Sequence, residues 1–513
     1  MSKLKGQIIR ASALFFSAII ANGSGESFSK IENSTLVASD KKSDAEHEHW
    51  TYLNYFGWVF TPYISKPHDN GHWNFSTILG WFFEHSDYSP YIYITDIDSW
   101  IKPVSTNCTY VWFFEYTTNS FRTPQDLPSK LEVNTHRILQ QAKTMMRNTA
   151  ASIPHTNQFP IYTVGPNWHL VGSWNWTAGF WPGCLWLMYD FSGDEYWRES
   201  AEAWTESMTS QKDNTTTHDL GFMMYNSFGQ GLRLGVNSDE YSAVLHEAAD
   251  SLFSRFNTEV GAIRSWSWGD WDAGNRFTVI VDNMMNLELL FWSARERDDP
   301  EIQKAAIEHA RTTIRDFCRP DGSTVHVVVY NENNGEILEK LTHQGYSDDS
   351  TWARGQAWAL YGFTTVYRES GLDEFLYQAK ANADYYLEHF LDKGVPYWDV
   401  DAPVHENTPH DTSAAAIAAS GLLELASLCR AEYPGAAKRY SLAAHHIIEA
   451  LISPQWFAAI PDSNALLAGG TYNQPANHSN TGLIWGDYYL LEALLRYLKP
   501  DRIPTSPVHD LPN

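Results

Sequence analysis

Six short stretches of this chain place acids, indoles and one guanidinium where an apolar helical pattern begins: Trp176, His218-Asp219, Asp282, Trp352 with Arg354, Asp411-Thr412-Ser413, and Trp485-Gly486-Asp487. An aspartate at a helix start is ordinarily an N-cap, and Asp219 and Asp411 are open to that reading. Asp282 differs, because it follows Phe277-Thr-Val-Ile-Val and precedes Asn-Met-Met-Asn-Leu with no basic residue beside it. Apolar surroundings raise a carboxyl pKa and keep a fraction protonated near neutral pH, as a general acid requires. Indoles and phenols merely pack in a core, but beside polar groups in a cleft they bind the apolar faces of sugars. The combination points to acid–base chemistry on a carbohydrate.

The elements that must carry these residues follow from periodicity. A helical period runs through 129–149, 178–191, 194–211, 219–234, 239–256, 282–298, 300–317, 350–369, 372–391, 413–431, 435–452 and 485–498. The segments alternate in character. Those such as Thr412–Leu425 are apolar or small on most faces, as inner helices must be, whereas Glu301–Phe317 and Asp373–Phe390 are charged on one face, as outer helices are. Six inner and six outer helices with uneven loops predict an all-α main domain, an (α/α)6 toroid rather than a solenoid of identical repeats. Alternation makes the inner helices parallel, so their N-termini open on one end, where backbone N–H groups and dipoles attract an anionic group. The interruptions 257–281 and 318–349, with Val, Thr and aromatic residues, are expected to form hairpins over the barrel mouth.

The rest of the chain bounds the setting. Lys3, Lys5 and Arg10 precede the apolar run Ala11–Ala21, which ends in small residues; 1–24 reads as a signal peptide and the protein as exported, to the periplasm or outside. That run is too short to span a bilayer. Residues 25–49 read as a linker, in which His47-Glu48-His49 is an exposed charged stretch rather than a metal site. Through 50–121, Trp, Tyr and Phe recur at short spacing between Pro, Gly, Asn and Asp, predicting a small aromatic-rich β module of unknown role, its rings either core or a sugar-stacking platform. The catalytic domain is expected over 129–499 and a C-terminal tail over 500–513.

A net charge of −25 argues against nucleic acid, whose binders need a basic face. It leaves room for a small anionic sugar end in a locally favourable cleft. Cys108, Cys184, Cys318 and Cys429 are too few and scattered for a disulfide scaffold or metal knuckle, and read as buried thiols with one disulfide open. Seven Asn-x-Ser/Thr sequons occur. No Gly-x-Ser-x-Gly, Walker, His-Glu-x-x-His or Cys-x-x-Cys pattern is present, so acyl transfer, nucleotide and zinc chemistry have no motif, and neither cofactor nor metal is expected. A monomer or weak homodimer is expected.

The motifs at the helix starts resemble those of the unsaturated glucuronyl hydrolases of glycoside hydrolase family 88. The matching runs are Trp176-Thr-Ala-Gly-Phe-Trp-Pro-Gly, His218-Asp-Leu-Gly-Phe-Met, Val281-Asp-Asn-Met-Met-Asn-Leu, Gln344-Gly-Tyr-Ser-Asp-Asp-Ser-Thr-Trp-Ala-Arg-Gly-Gln-Ala-Trp, Pro396-Tyr-Trp-Asp-Val-Asp-Ala-Pro, Asp411-Thr-Ser-Ala and Trp485-Gly-Asp-Tyr-Tyr. They span about 129 to 499. The resemblance implies the (α/α)6 barrel, Asp282 as acid/base and Asp219 as the second essential carboxylate. It further implies that Trp176, His218, His326, Gln344, Trp352, Arg354, Trp358, Ser413 and Tyr472 line the sugar site. The implied substrate is an oligosaccharide ending in a 4,5-unsaturated uronic acid, whose C4=C5 vinyl ether is hydrated. The run from Trp352 to Trp358 is also the style of the unsaturated rhamnogalacturonyl hydrolases of family 105, while His218-Asp219 before Leu-Gly-Phe favours family 88. A lyase or epimerase on a similar toroid would want a Tyr or His base near an Arg or Asn, which the paired Asp219 and Asp282 suit less well. A non-catalytic, exported carbohydrate-binding protein is the alternative from another class.

Overall fold

The computed structural model describes residues 130–392 and 394–503, together with the backbone of eight short strands between 49 and 122. The signal and linker segments, the last ten residues, Cys108 and the aromatic side chains of 50–121 lie outside the described residues. The chain separates into two units, Met1–Ser89 and Pro90–Asn513. In the first, β1 (His49–Leu53), β2 (Gly57–Thr61), β3 (Gly71–Ser76) and β4 (Gly80–His85) pair antiparallel in succession. The second opens with β5 (Ile92–Ile94), β6 (Ser99–Pro103), β7 (Phe113–Glu115) and β8 (Ser120–Arg122), again antiparallel in succession.

The second unit then becomes helical. Its outer helices are α1 (Lys130–Ser152), α3 (Glu195–Glu206), α5 (Ser238–Phe253), α7 (Pro300–Phe317), α9 (Asp373–Phe390) and α11 (Pro434–Leu451). Its inner helices are α2 (Phe180–Ser192), α4 (Gly221–Arg233), α6 (Val281–Arg297), α8 (Ala353–Ser370), α10 (Thr412–Leu428) and α12 (Ile484–Leu498). Each inner helix packs on the next, α12 packs back on α2, and each is backed by an outer helix, so the inner ring is closed. Composition explains the division. Every residue of α10 is buried, which its run of Ala, Ser, Gly and Leu permits without a polar face to solvate. In contrast α7 starts as an amphipathic outer helix should: Asp299 accepts from the N–H groups of Glu301 and Ile302, and Pro300 stands at the first position, where no N–H is needed.

Among the described residues the twelve helices are thus found where the period placed them, with two local differences. The α4 segment winds as a π-helix over Gly221–Gly229 before becoming α-helical, and α6 opens with a 3-10 turn over Val281–Asn286. Both departures lie at the helix ends that carry Asp219 and Asp282, as π-turns at functional sites commonly do. The strand β13 (Arg276–Ile280) of the first long interruption pairs with β14 (Val327–Asn331), which forms the expected hairpin with β15 (Ile337–Leu341) in the second, so the two interruptions also join in one three-stranded sheet. Two further hairpins are β9 (Phe159–Val164) with β10 (Asn167–Val171), and the short β11 (Phe256–Asn257) with β12 (Ala262–Ile263). Cys184, Cys318 and Cys429 are free thiols. Among the described residues no helix is long and apolar enough to cross a membrane.

Candidate active site

Asp282 is delivered by β13, whose end is pinned on three sides. The N–H of Ile280 donates to Ser265 Oγ at 3.1 Å, the N–H of Val281 donates to the His326 carbonyl at 3.0 Å, and Asn283 Nδ2 donates to the Ile263 carbonyl at 3.0 Å. The carboxyl between these anchors is 14% exposed, and its Oδ2 is buried with no hydrogen-bond partner. Burial pushes its pKa up to about 7, against the opposing pull of the Arg354 guanidinium; the Asp219 charge adds to the rise and Trp358 opposes it. The indole N–H of Trp358 faces this carboxyl without meeting the geometry of a full hydrogen bond.

Asp219 stands just before the π-turn. Its Oδ2 accepts from Thr217 Oγ1 at 3.2 Å, and burial raises its pKa to about 7 as well. It is not the N-cap of α4, since no side chain caps that end. His218 Nε2 lies 3.2 Å from Asp219 Oδ1, but burial holds this imidazole neutral, its pKa pushed down to about 3. The starts of α4 and α6 are brought together by Asn286, whose Oδ1 accepts from the Phe222 N–H at 2.9 Å.

On the other side of Asp282, His326 Nε2 lies 3.8 Å from Asp282 Oδ2. The opposite nitrogen, Nδ1, accepts from the N–H groups of His343 at 3.3 Å and Gln344 at 3.4 Å. That fixes the tautomer: burial keeps the ring neutral, so its one proton sits on Nε2 and faces the Asp282 carboxyl. The imidazole stacks on Trp352 with centroids 4.3 Å apart. Arg354, 1% exposed, lies over the Trp352 ring at 4.5 Å and the Trp485 ring at 5.5 Å. Its NH1 donates to Asp411 Oδ2 at 2.7 Å and its NH2 to the Tyr472 carbonyl at 2.8 Å, which also accepts from Gln344 Nε2 at 2.9 Å. Asp411 both caps α10 and pairs Arg354, and Ser413 Oγ donates to it at 2.6 Å. Trp485 closes the circuit, with Trp176 at 5.0 Å and Tyr472 at 5.5 Å. Trp176 and Trp358 then both meet Phe222, at 5.7 and 5.0 Å.

All eleven residues singled out from the sequence therefore fall in one connected cluster at the N-terminal ends of the inner helices. Such a cluster holds two acids that burial raises to about 7, a neutral imidazole aimed at one of them, and aromatic walls. It can deliver a proton to a bound sugar and take one from water.

The profile of the glycosyl hydrolase family 88 matches residues 146–497. The chain belongs to this family. It is therefore a glycosidase, and the match favours this family over the family 105 reading. An unsaturated glucuronyl hydrolase of Formosa agariphila is 41% identical over 334 residues, 64% of this chain and 81% of that one. An unsaturated chondroitin disaccharide hydrolase of Streptococcus pyogenes is 31% identical over 391 residues, 75% of this chain and 94% of that one. A crystal structure of an unsaturated glucuronyl hydrolase specific for heparin aligns with a TM-score of 0.67 at 34% identity, covering 73% of this chain and 99% of that one. The toroid is thus the fold of this family's solved members.

Three residues that support the site carried no role in the sequence reading. Asn286 could have been found from its place one helical turn after Asp282. Asp399 accepts from the Tyr346 N–H at 2.9 Å and from Ser350 Oγ at 2.7 Å, and so holds the turn that presents Gln344. Asp401 accepts from the Thr351 N–H at 2.9 Å, just before Trp352. Both sit in the quoted run Pro396–Pro403, but nothing in one sequence says that they reach across some fifty residues.

Proposed function

We propose that this glycosidase releases a 4,5-unsaturated uronic acid from the non-reducing end of oligosaccharides produced by a polysaccharide lyase, by adding water across the C4=C5 vinyl ether. The observation that supports this most is Asp282: a largely buried carboxyl with its strand end pinned by three hydrogen bonds, which burial pushes up to about 7, as it does the second acid, Asp219. Protonated Asp282 gives its proton to C4, and positive charge develops at C5 and the ring oxygen. The Asp282 carboxylate then takes a proton from the water that attacks C5. The hemiketal so formed opens and frees the rest of the oligosaccharide. Asp219 holds ring hydroxyls and stabilises the cationic transition state, so one acid serves both proton steps. The His326 Nε2–H supports the carboxylate form of Asp282 between them. Trp176, Trp352, Trp358 and Tyr472 form the walls, with His218, Gln344, Arg354 and Ser413 as the polar lining.

Hydration destroys the conjugated double bond, so the loss of its ultraviolet absorbance in a lyase-derived disaccharide is the assay. Asp282→Asn is expected to lower that rate by roughly 10³-fold or more while circular dichroism stays unchanged. Near-normal turnover by this variant would remove Asp282 from the reaction. We also propose that 1–24 directs export, that 50–121 is a separate β module, and that the enzyme acts as a monomer or weak homodimer. N-terminal sequencing of exported protein and sedimentation of the purified enzyme check the first and last.

A further inference from the structure

One guanidinium reaches both of the segments that lead to the acids. Arg255 stands between α5 and β11, outside every run that marks an inner-helix start. Its Nε donates to the Arg264 carbonyl at 3.0 Å, and its NH2 donates to the Ser265 carbonyl at 3.1 Å and to Ser267 Oγ at 2.9 Å. Its NH1 donates to the Thr215 carbonyl, in the turn that enters α4. Every acceptor is a neutral oxygen, and among the described residues no carboxylate pairs with this side chain.

The Thr215 side runs into Asp219 through a stiff turn. Asn214 Oδ1 accepts from the Thr216 N–H at 3.0 Å and from its hydroxyl at 2.7 Å, and the Asp219 N–H donates to Thr217 Oγ1 at 3.1 Å. The Ser265 side runs into Asp282. The Ser265 N–H donates to the Thr278 carbonyl of β13 at 2.7 Å, and its Oγ accepts from the Ile280 N–H, two positions before the acid. A shift of Ser265 therefore moves the end of β13, as a shift of Thr215 moves the turn into α4. Burial and the Arg264 charge lower the Arg255 pKa to about 10, which leaves it a cation at neutral pH. Arginine suits this place because its donors lie in one rigid plane, whereas the compact ammonium of lysine, on a flexible stem, cannot span four separate oxygens.

We infer that Arg255 is a positioning residue for the reaction: its planar fork sets the separation of the two acids by tying the turn into Asp219 to the segment that frames Asp282. The inference rests on the reaction proposed above. Arg255→Lys keeps the charge and loses the fork, so kcat per folded enzyme on a lyase-derived unsaturated disaccharide should fall about 10²-fold, with KM within about threefold, since the walls of the site come from other elements. A merely structural arginine would lower the folded fraction, read by circular dichroism, and leave kcat per folded molecule unchanged. That result, or a rise in KM that accounts for the loss, overturns the inference. Arg255→Ala should lose as much. A cavity of about 460 Å³ opens beside the guanidinium, lined by Thr215, Asn257, Ser267 and Phe277 among others, so a small cation can enter. Free guanidinium at millimolar concentration should raise the kcat of Arg255→Ala about tenfold and saturably, where sodium at equal ionic strength does nothing. No recovery in a folded Arg255→Ala overturns the clamp, and Arg255→Lys, the milder change, decides the matter if Arg255→Ala does not fold. In a crystal structure of Arg255→Lys the separation of the Asp219 and Asp282 carboxyls should differ from that of the wild type by about 1 Å; an unchanged separation overturns the clamp whatever the assay reads. A wild-type enzyme that left the disaccharide untouched would instead count against the reaction, on which the structural comparison does not depend.

Discussion

Two carboxyls with raised pKa values make the site an element of instability, and the sign can be worked through. A carboxyl raised in the folded state favours folding while it is protonated; that contribution is complete below its unfolded pKa near 4 and is lost as pH rises through its folded value. For Asp282 the window therefore runs from about 4 to about 7. Asp282→Asn carries no charge at any pH, so it should be more stable than the wild type at pH 8, by ~2–4 kcal/mol, with most of this gap gone at pH 4. Urea titrations at the two pH values measure it; a gap independent of pH would mean that the carboxyl is hydrated. The same protonation sets activity. Since the acid form of Asp282 starts the reaction, kcat/KM should fall above pH about 7, with an apparent pKa belonging to the interacting pair of acids rather than to either one. The raised acid at Asp282 was legible from its flanking apolar run. Its neighbours were not, because Arg354 and His326 reach it through space from 72 and 44 positions further along the chain.

At the scale of elements, the reaction depends on how closely α4 and α6 approach. Gly221 opens the π-turn after Asp219, and a Cβ added there would come within 2.4 Å of Asn286 Cα, a backbone atom that cannot swing aside. Gly221→Ala must therefore push the two helix starts apart and loosen the Asn286 bridge. Turnover should drop by roughly 10²-fold, as misplacement by about 1 Å of a catalytic group does, while the unfolding midpoint changes far less than for a core truncation. A variant with wild-type kcat would show that the spacing of the acids tolerates such a shift. The helix count and the inner and outer ring were readable because each depends on a local period. The π-turn, the 3-10 opening of α6 and the joining of 276–280 to 327–331 were not, since contacts between distant segments decide them. The β9–β10 hairpin escaped for a related reason: Pro160 and the Gly165 turn, at φ +58°, break the alternation that marks a strand.

The whole molecule places its chemistry at one end of the toroid and its strongest ionic clamp towards the other. Arg368 near the end of α8 binds Glu288 of α6, its neighbour Glu369 and Glu424 of α10. Glu424 in turn pairs with Arg496 of α12 at 2.7 Å, and Glu492 of the same helix accepts from Tyr361 Oη at 2.8 Å. Four of the six inner helices are joined this way, and Glu424 is wholly buried between two guanidinium groups. Burial would raise its pKa, but Arg368 and Arg496 outweigh that and hold it below the usual range. The sign is thus opposite to that of Asp282: Glu424 stabilises above its unfolded pKa, and the contribution fades as pH falls through the lower folded value. Removing it takes away the buried carboxylate that Arg368 and Arg496 share and leaves them only their other acid partners, so Glu424→Ala should cost about 3 kcal/mol at pH 7. Urea unfolding at pH 7 checks the size. The site lies at the opposite ends of the same helices, so the fraction that remains folded should keep the wild-type kcat. A loss of kcat beyond the loss of folded protein would mean that the clamp also sets the spacing of the acids, and that the toroid acts as one rigid body from end to end.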